Sequence, residues 1–186
     1  MILFPTYFTH KVTDVDASLL KFLNVTGLIL DVDDTLAAPK TQFPGKDIIN
    51  WVDKIKNEGV KIVLLSNNFK SRVEKFAKLI EVPWVSMSFK PLTRGLHKAI
   101  QKISCAPKNT IMIGDQIFTD IFAANLFDIR SILVDPISEN KSPLLSFKRI
   151  LEKPIRQKIY SNSKLRLNNL KSSNLYSKYS VEEKNS

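Results

Sequence analysis

Five short apolar runs punctuate the first three quarters of the chain: GLILDVD (27–33), VKIVLLS (60–66), PWVSMS (83–88), TIMIGD (110–115) and RSILVDP (130–136). Runs this short and this continuously apolar suit strands buried on both faces. Between them the apolar residues switch to a helical period, with Ile48, Ile49, Val52 and Ile55 before Gly59, then Val73, Phe76, Ala77 and Ile80, then Leu96, Ala99, Ile100 and Ile103. Strand and helix alternating in this way demand right-handed crossovers. The expected architecture is therefore α/β, a Rossmannoid three-layer fold with a mostly parallel central sheet. Ahead of the first run, Val15, Leu19, Leu20 and Leu23 mark a short amphipathic helix within 13–23.

Open parallel sheets bind ligands beyond the carboxyl ends of their strands. Polar residues gather at those ends here: Asp31 and Asp33 after the first run, Ser66, Asn67 and Asn68 after the second, Lys90 past the third, and Asp115 after the fourth. Several carboxylates, a hydroxyl and an ammonium converging on one crevice fit a divalent cation and a phosphoryl group. Hard oxygen ligands suit Mg²⁺, which takes one or two carboxylates together with substrate phosphate. Asp31 and Asp33 stand two apart, so in extended backbone both point to one side. One can attack phosphorus while the other handles the proton on the leaving oxygen. Asp34 is out of phase with them and reads as a turn residue.

These residues carry a resemblance. Asp31-Val-Asp33-Asp34-Thr35, Ser66, Lys90, and Gly114-Asp115-Gln116 with Thr119-Asp120 resemble, in order, the four motifs of the haloacid-dehalogenase-like (HAD) phosphatases. The resemblance implies a HAD-like fold over residues 27–140 and hydrolysis of a phosphomonoester in two steps. Asp31 resembles the nucleophile that forms an aspartyl-phosphate, and Asp33 the acid and base. Ser66, Asn67 and Lys90 resemble the groups that hold the phosphoryl oxygens. Asp31, the Asp33 backbone carbonyl and Asp115 resemble the Mg²⁺ ligands, with Thr35 and Asp120 in auxiliary places.

Spacing restricts the substrate. Only 35 positions separate Asp31 from Ser66, and 24 separate Ser66 from Lys90. Neither interval can hold an inserted cap domain, so the enzyme is expected to be capless, with a crevice open to a phosphate presented by something large. The opening FPTYFTHKVTDVDASLLKFLNVTGLILDVDDTL, the stretch LLSNN and MIGDQIFTDI are similar to the YqeG branch of class IIIA HAD phosphatases, related to phosphatidylglycerophosphate phosphatases. That resemblance implies phosphatidylglycerophosphate as substrate and phosphatidylglycerol as product. Other substrates in the same chemical class are a protein, a nucleic acid end or a soluble metabolite.

Charge is uneven. Residues 1–140 carry 17 Lys and Arg against 15 Asp and Glu, whereas residues 141–186 carry 11 against 3, so +8 of the net +10 lies in the last quarter. Within it, Leu144, Phe147, Ile150, Leu151, Ile155 and Ile159 alternate with Lys148, Arg149, Lys153, Arg156 and Lys158. Two readings stay open: a basic amphipathic helix lying on an anionic membrane surface, or a last helix packed on the sheet and kinked or ended near Pro154. A third class of function makes this basic quarter the working part, an RNA-, ribosome- or membrane-binding module with vestigial catalysis. Residues 161–186, rich in Ser, Asn and Lys, read as a disordered tail.

Residues 1–26 then form an amphipathic extension packed on the core, and 141–160 the basic helix. The lone Cys105 excludes an internal disulfide and offers no metal-site spacing. Lys11, Asp14 and Asp16 interrupt any leader-like apolar core, and no apolar run approaches ~18 residues. The expected location is cytoplasmic, with peripheral contact at the inner membrane face.

Overall fold

The structure is a computed structural model that describes residues 2–39, 41, 43–138, 143–172 and 176. Six strands form one sheet: β1 (Tyr7–Phe8), β2 (Gly27–Leu30), β3 (Lys61–Leu65), β4 (Trp84–Val85), β5 (Thr110–Gly114) and β6 (Arg130–Leu133). They lie in the order β1-β6-β5-β2-β3-β4, and every neighbouring pair is parallel. The chain steps outward from β2 through β3 to β4, returns to the other side of β2 as β5, and steps outward again to β6. That reversal opens a crevice at the carboxyl ends of β2 and β5.

The helices are α1 (Ala17–Phe22), α2 (Lys46–Asn57), α3 (Lys70–Leu79), α4 (Arg94–Ile103), α5 (Phe122–Leu126), α6 (Pro143–Ser161) and α7 (Leu167–Lys171). Successive strand residues serve opposite layers, as the period of two requires. Leu28, Leu30, Ile62, Leu64, Ile111 and Ile113 pack with Leu19 and Leu20 of α1, Trp51 and Val52 of α2 and Phe76 of α3. Ile29, Val63, Leu65 and Met112 pack on the other face against Leu96, Ala99 and Ile103 of α4 and Ala123 and Ala124 of α5. Among the described residues no further domain interrupts this scheme, and none of the helices is long and apolar enough to cross a membrane.

Three features differ from the sequence expectation. The sheet has a sixth strand, because Tyr7 and Phe8 pair with Ile132 and Leu133 of β6; two residues are too few to show a period. The run 83–88 is strand only at Trp84–Val85. Beyond it Met87 and Phe89 take left-handed backbone, φ 45° and 54°, which turns the chain out of the sheet just before Lys90. The amphipathic segment within 13–23 divides into a 3₁₀ turn, Val12–Asp14, and α1, whose first turn is capped by Asp16 accepting from the Leu19 N–H at 2.8 Å.

The basic quarter also resolves into parts. α6 runs on through Pro154 to Ser161, docked by Ile155 and Ile159 against Phe8, Ile117, Ile121 and Leu133. Residues 161–172 of the expected disordered tail carry a 3₁₀ turn and α7, with Leu167 buried in the main core. The remainder of that tail, apart from Tyr176, lies outside the described residues, as does the side chain of Leu144.

Gly95 in the first turn of α4 lies against the segment that leads to Lys90. A Cβ there would meet the Ser88 Cβ at 2.7 Å, the Ser88 carbonyl at 3.0 Å and Leu65 Cδ1 at 3.2 Å. Gly→Ala in a free helix gains up to ~1 kcal/mol, but overpacking of this kind loses ~1–3 kcal/mol. Gly95→Ala is expected to lower stability in urea denaturation; a raised midpoint would contradict the tight contact.

Candidate active site

Asp31 follows β2 directly and stays in the ladder, its N–H donating to the Ile113 carbonyl at 3.0 Å. Its carboxylate is consequently aimed and buried, 6% exposed. Oδ1 accepts from Lys90 Nζ at 2.6 Å, and Oδ2 lies 3.2 Å from the Thr35 hydroxyl. Lys90 Nζ also donates to the Leu65 carbonyl at 2.9 Å and stands 2.8 Å from Asp120 Oδ1. Burial alone would lower the Lys90 ammonium, but Asp120 and Asp31 beside it hold it charged and above its ordinary value. Burial drives Asp31 the other way, well above the ordinary carboxylate range, against the pull of Lys90 and with the help of Asp120 and Asp115.

Asp33 faces the same crevice, more open to solvent. Arg72 of α3 grips its Oδ1 through Nε at 2.8 Å and Nη2 at 2.7 Å, while Ser66 Oγ and Asn68 Nδ2 approach Oδ2 at 3.3 and 3.4 Å. Arg72 also donates to the Thr41 and Ala38 carbonyls, so one guanidinium ties Asp33 to the loop that follows it. Asn67 is turned to a neighbour. Its Oδ1 accepts from the Lys90 N–H and the Ser88 hydroxyl, both at 2.7 Å, and its Nδ2 donates to the Lys90 carbonyl at 3.0 Å. Asp34 has φ 63°, the left-handed conformation that Asp tolerates. Its carboxylate accepts from the backbone and hydroxyl of Ser138, anchoring the turn to the segment after β6.

Asp115 and Asp120 come from the loop after β5. The chain turns there through a π-helical segment, Ile117–Ile121, whose widened turn brings Asp120 back beneath Gly114. A Cβ on Gly114 would stand 2.5 Å from the Asp120 side chain, so only glycine admits this closure. Asp120 Oδ2 accepts from the Gln116 N–H at 3.0 Å, whereas the fully buried Oδ1 makes its ion pair with Lys90 without hydrogen-bond geometry. Asp31, Asp115 and Asp120 each offer an oxygen within 4.8 Å of the others, and all three are buried. Burial pushes Asp115 up to about 7, opposed by Arg149 and reinforced by Asp120. Three buried carboxylates so close are a standing demand for positive charge.

Arg72, Glu152 and Arg156 are absent from the site that the sequence leads one to expect, and Arg149 is expected only as one cation of a basic amphipathic helix. Instead its guanidinium bonds Asp115 Oδ2 and donates to the Asp115 carbonyl at 2.8 Å, and Arg156 donates to that carbonyl too. Glu152 is 1% exposed between them. The spacing 149, 152, 156 places all three on one helical stripe, a signal that was available. Arg72, a single cation on a helix, gave none. The crevice itself encloses about 320 Å³, lined by Asp31, Asp33, Ser66, Lys90, Gln116 and Lys148 among others.

The sequence matches the haloacid dehalogenase-like hydrolase family over residues 31–128. It is 28% identical over 151 residues to the probable phosphatase YqeG of Bacillus subtilis (strain 168), covering 81% of this chain and 88% of that protein. A solved structure from Vibrio cholerae, a proposed 3-deoxy-D-manno-octulosonate 8-phosphate phosphatase, shares the fold with a TM-score of 0.52 at 20% identity, over 72% of this chain and 77% of that one. An uncharacterized protein from Listeria monocytogenes serotype 4b does so with a TM-score of 0.51 at 16% identity, over 71% and 99%. With the parallel sheet and the acidic crevice at its switch point, the match over more than half its length makes this chain a member of the haloacid dehalogenase-like hydrolases.

Proposed function

We propose that this hydrolase is a Mg²⁺-dependent phosphomonoesterase that works through an aspartyl-phosphate on Asp31, and that its substrate is phosphatidylglycerophosphate. The observation that carries the chemistry is the buried Asp31 carboxylate 2.6 Å from Lys90 with Asp33 lining the same crevice. The cation fits the residues present. Asp31, Asp115 and Asp120 each put a buried oxygen within 4.8 Å of the others, and these clustered carboxylates are hard oxygen donors. Asp31, Asp115 and the Asp33 backbone carbonyl would hold it, with Asp120 beside them. When bound, Mg²⁺ supplies the positive charge that offsets the phosphoryl oxygens.

The protein's own groups carry the two steps. An Asp31 oxygen attacks phosphorus; the bond to the leaving oxygen breaks as Asp33 gives that oxygen a proton. A water then loses a proton to Asp33 and attacks the same phosphorus, the bond to Asp31 breaks, and inorganic phosphate departs. Lys90 compensates charge beside the nucleophile, and Ser66 lies where a phosphoryl oxygen can accept from it. Arg72 holds Asp33 at the crevice. Asn67 serves by fixing both backbone groups of Lys90 rather than through its own amide.

For the lipid, the support is the uncapped crevice and its surroundings. Phe69 in the crevice wall is 71% exposed, and Phe89 and Leu92 flank Lys90 at 62% and 61%. On α6, Phe147, Ile150 and Leu151 also face solvent, next to Lys148 in the crevice wall. An exposed Phe69 and the Lys148 cation in the crevice wall, with further exposed apolar residues near Lys90 and Lys148 in the sequence, suit a substrate whose phosphate stands at an anionic apolar surface.

Two predictions test this. In a panel of phosphate esters with and without Mg²⁺, wild type is expected to release phosphate fastest from phosphatidylglycerophosphate vesicles. Asp31→Asn should lose about 10³-fold or more. Asp33→Asn should lose roughly 10²–10⁴-fold with poor leaving groups and less with p-nitrophenyl phosphate. Turnover of soluble esters alone would refute the lipid, and an active Asp31→Asn would refute the nucleophile.

The second concerns pH. Asp115 titrates at about 7 in the folded metal-free chain, against roughly 3.9 when unfolded. Its contribution to stability is present below the lower value and lost as pH rises through the upper one. The metal-free melting temperature is therefore expected to fall between about pH 5 and about pH 8, less so in Asp115→Asn. Mg²⁺ should raise it more at the alkaline end, where the carboxylate is ionised. The opposite slope in wild type, unaltered by Asp115→Asn, would contradict this assignment.

A further inference from the structure

α6 is inside out. Phe147, Ile150 and Leu151 are 59%, 66% and 48% exposed, while Glu152 is 1% exposed and Arg149 and Arg156 turn inward beside it. A carboxylate is not buried in this way unless its partners compensate the lost hydration. Those partners all belong to, or bear on, the loop that follows β5. Glu152 Oε1 accepts from the backbone N–H groups of Ile117 at 2.7 Å and Phe118 at 3.2 Å. Its Oε2 faces Arg149 Nη1 at 3.3 Å and Arg156 Nε at 3.5 Å.

We infer that Glu152 and Arg149 are positioning residues for the metal-bearing loop 114–120, so that α6 sets the affinity for a divalent cation without offering a ligand. The inference rests on the proposed function in taking Asp115 as a cation ligand. Glu152 satisfies the first two donors of the π-helical turn, which have no partner inside it, and so fixes the turn that brings Asp120 under Gly114. Arg149 fixes Asp115 itself. It occupies Oδ2 and the backbone carbonyl of that residue, leaving Oδ1 with the Thr35 hydroxyl at 3.2 Å. The same hydroxyl lies 3.2 Å from Asp31 Oδ2. Each of the two carboxylates thus has one oxygen held by a fixed protein cation, Lys90 or Arg149. Its other oxygen is turned toward the shared hydroxyl. Groups that orient metal ligands in this manner typically govern 10–100-fold in metal affinity.

The sign of one substitution separates positioning from competition. Removing a positive charge beside a cation site would by itself tighten binding. Weaker binding in Arg149→Met therefore reports lost orientation, and tighter binding would show that Arg149 competes with the cation and would overturn the inference. In the full chain, Mg²⁺ is titrated by calorimetry and by its shift of the melting temperature, with no substrate present. Glu152→Ala is expected to weaken Mg²⁺ about 10-fold or more. Glu152→Gln, which keeps an acceptor for Ile117 and Phe118, should stay within about threefold, as should Lys153→Ala on the exposed face. Glu152→Ala that melts earlier yet binds Mg²⁺ like wild type would reduce the residue to a structural role and refute the inference. So would a Glu152→Gln as weak as Glu152→Ala, which would make charge alone the cause. Should Glu152→Ala fail to fold, Arg149→Met decides. Wild type that binds no Mg²⁺ would refute the metal reading itself, and this inference with it. Tight binding that survives both substitutions would refute this inference alone.

Discussion

The contact on which the site depends is the ammonium of Lys90 buried among Asp31, Asp120 and the Leu65 carbonyl. A carboxylate placed at the end of a fully buried strand has lost its water, and a partner charge must be supplied at close range. That partner comes from 59 residues away, which explains otherwise odd features of its neighbourhood. β4 stops after two residues, the chain takes left-handed backbone twice, and Asn67 grips the Lys90 backbone from both sides. Gly95 lets α4 press against Ser88. All of these serve to place one nitrogen.

A second tier of charge surrounds the first: Asp33 is steadied by Arg72 and Asp115 by Arg149. Lys90 is shared between Asp31 and Asp120, so three buried carboxylates with oxygens within 4.8 Å of one another keep negative charge in excess there, where a small hard cation has most to gain.

How much of this could be read from the sequence follows from the range of each interaction. The central strands, α2, α3 and α4 and the crevice were legible because burial imposes a period on neighbouring residues. Asp31, Asp33, Ser66, Lys90 and Asp115 were legible because the parallel topology delivers strand ends to one place. Arg72 and Glu152 were not, since a charged residue on a helix is ordinarily solvated and only the tertiary partner reverses that reading. The first half of α6 departs from its pattern for the same reason: Phe147, Ile150 and Leu151 face solvent while Arg149 and Glu152 turn to the loop after β5, whereas Ile155 and Ile159 further along pack inward.

β1 is an outermost strand, and such strands can pair with a neighbouring molecule through their unused backbone groups. Its length of two residues limits that risk, and the turn between α6 and α7 limits it further. Arg166 bridges to Phe8, its guanidinium lies 5.7 Å from the Phe8 ring, and Tyr160 packs on that ring from α6. The same C-terminal stretch thus serves two ends of the fold: Arg149, Glu152 and Arg156 hold the loop after β5, and Tyr160 and Arg166 further along cover the sheet edge.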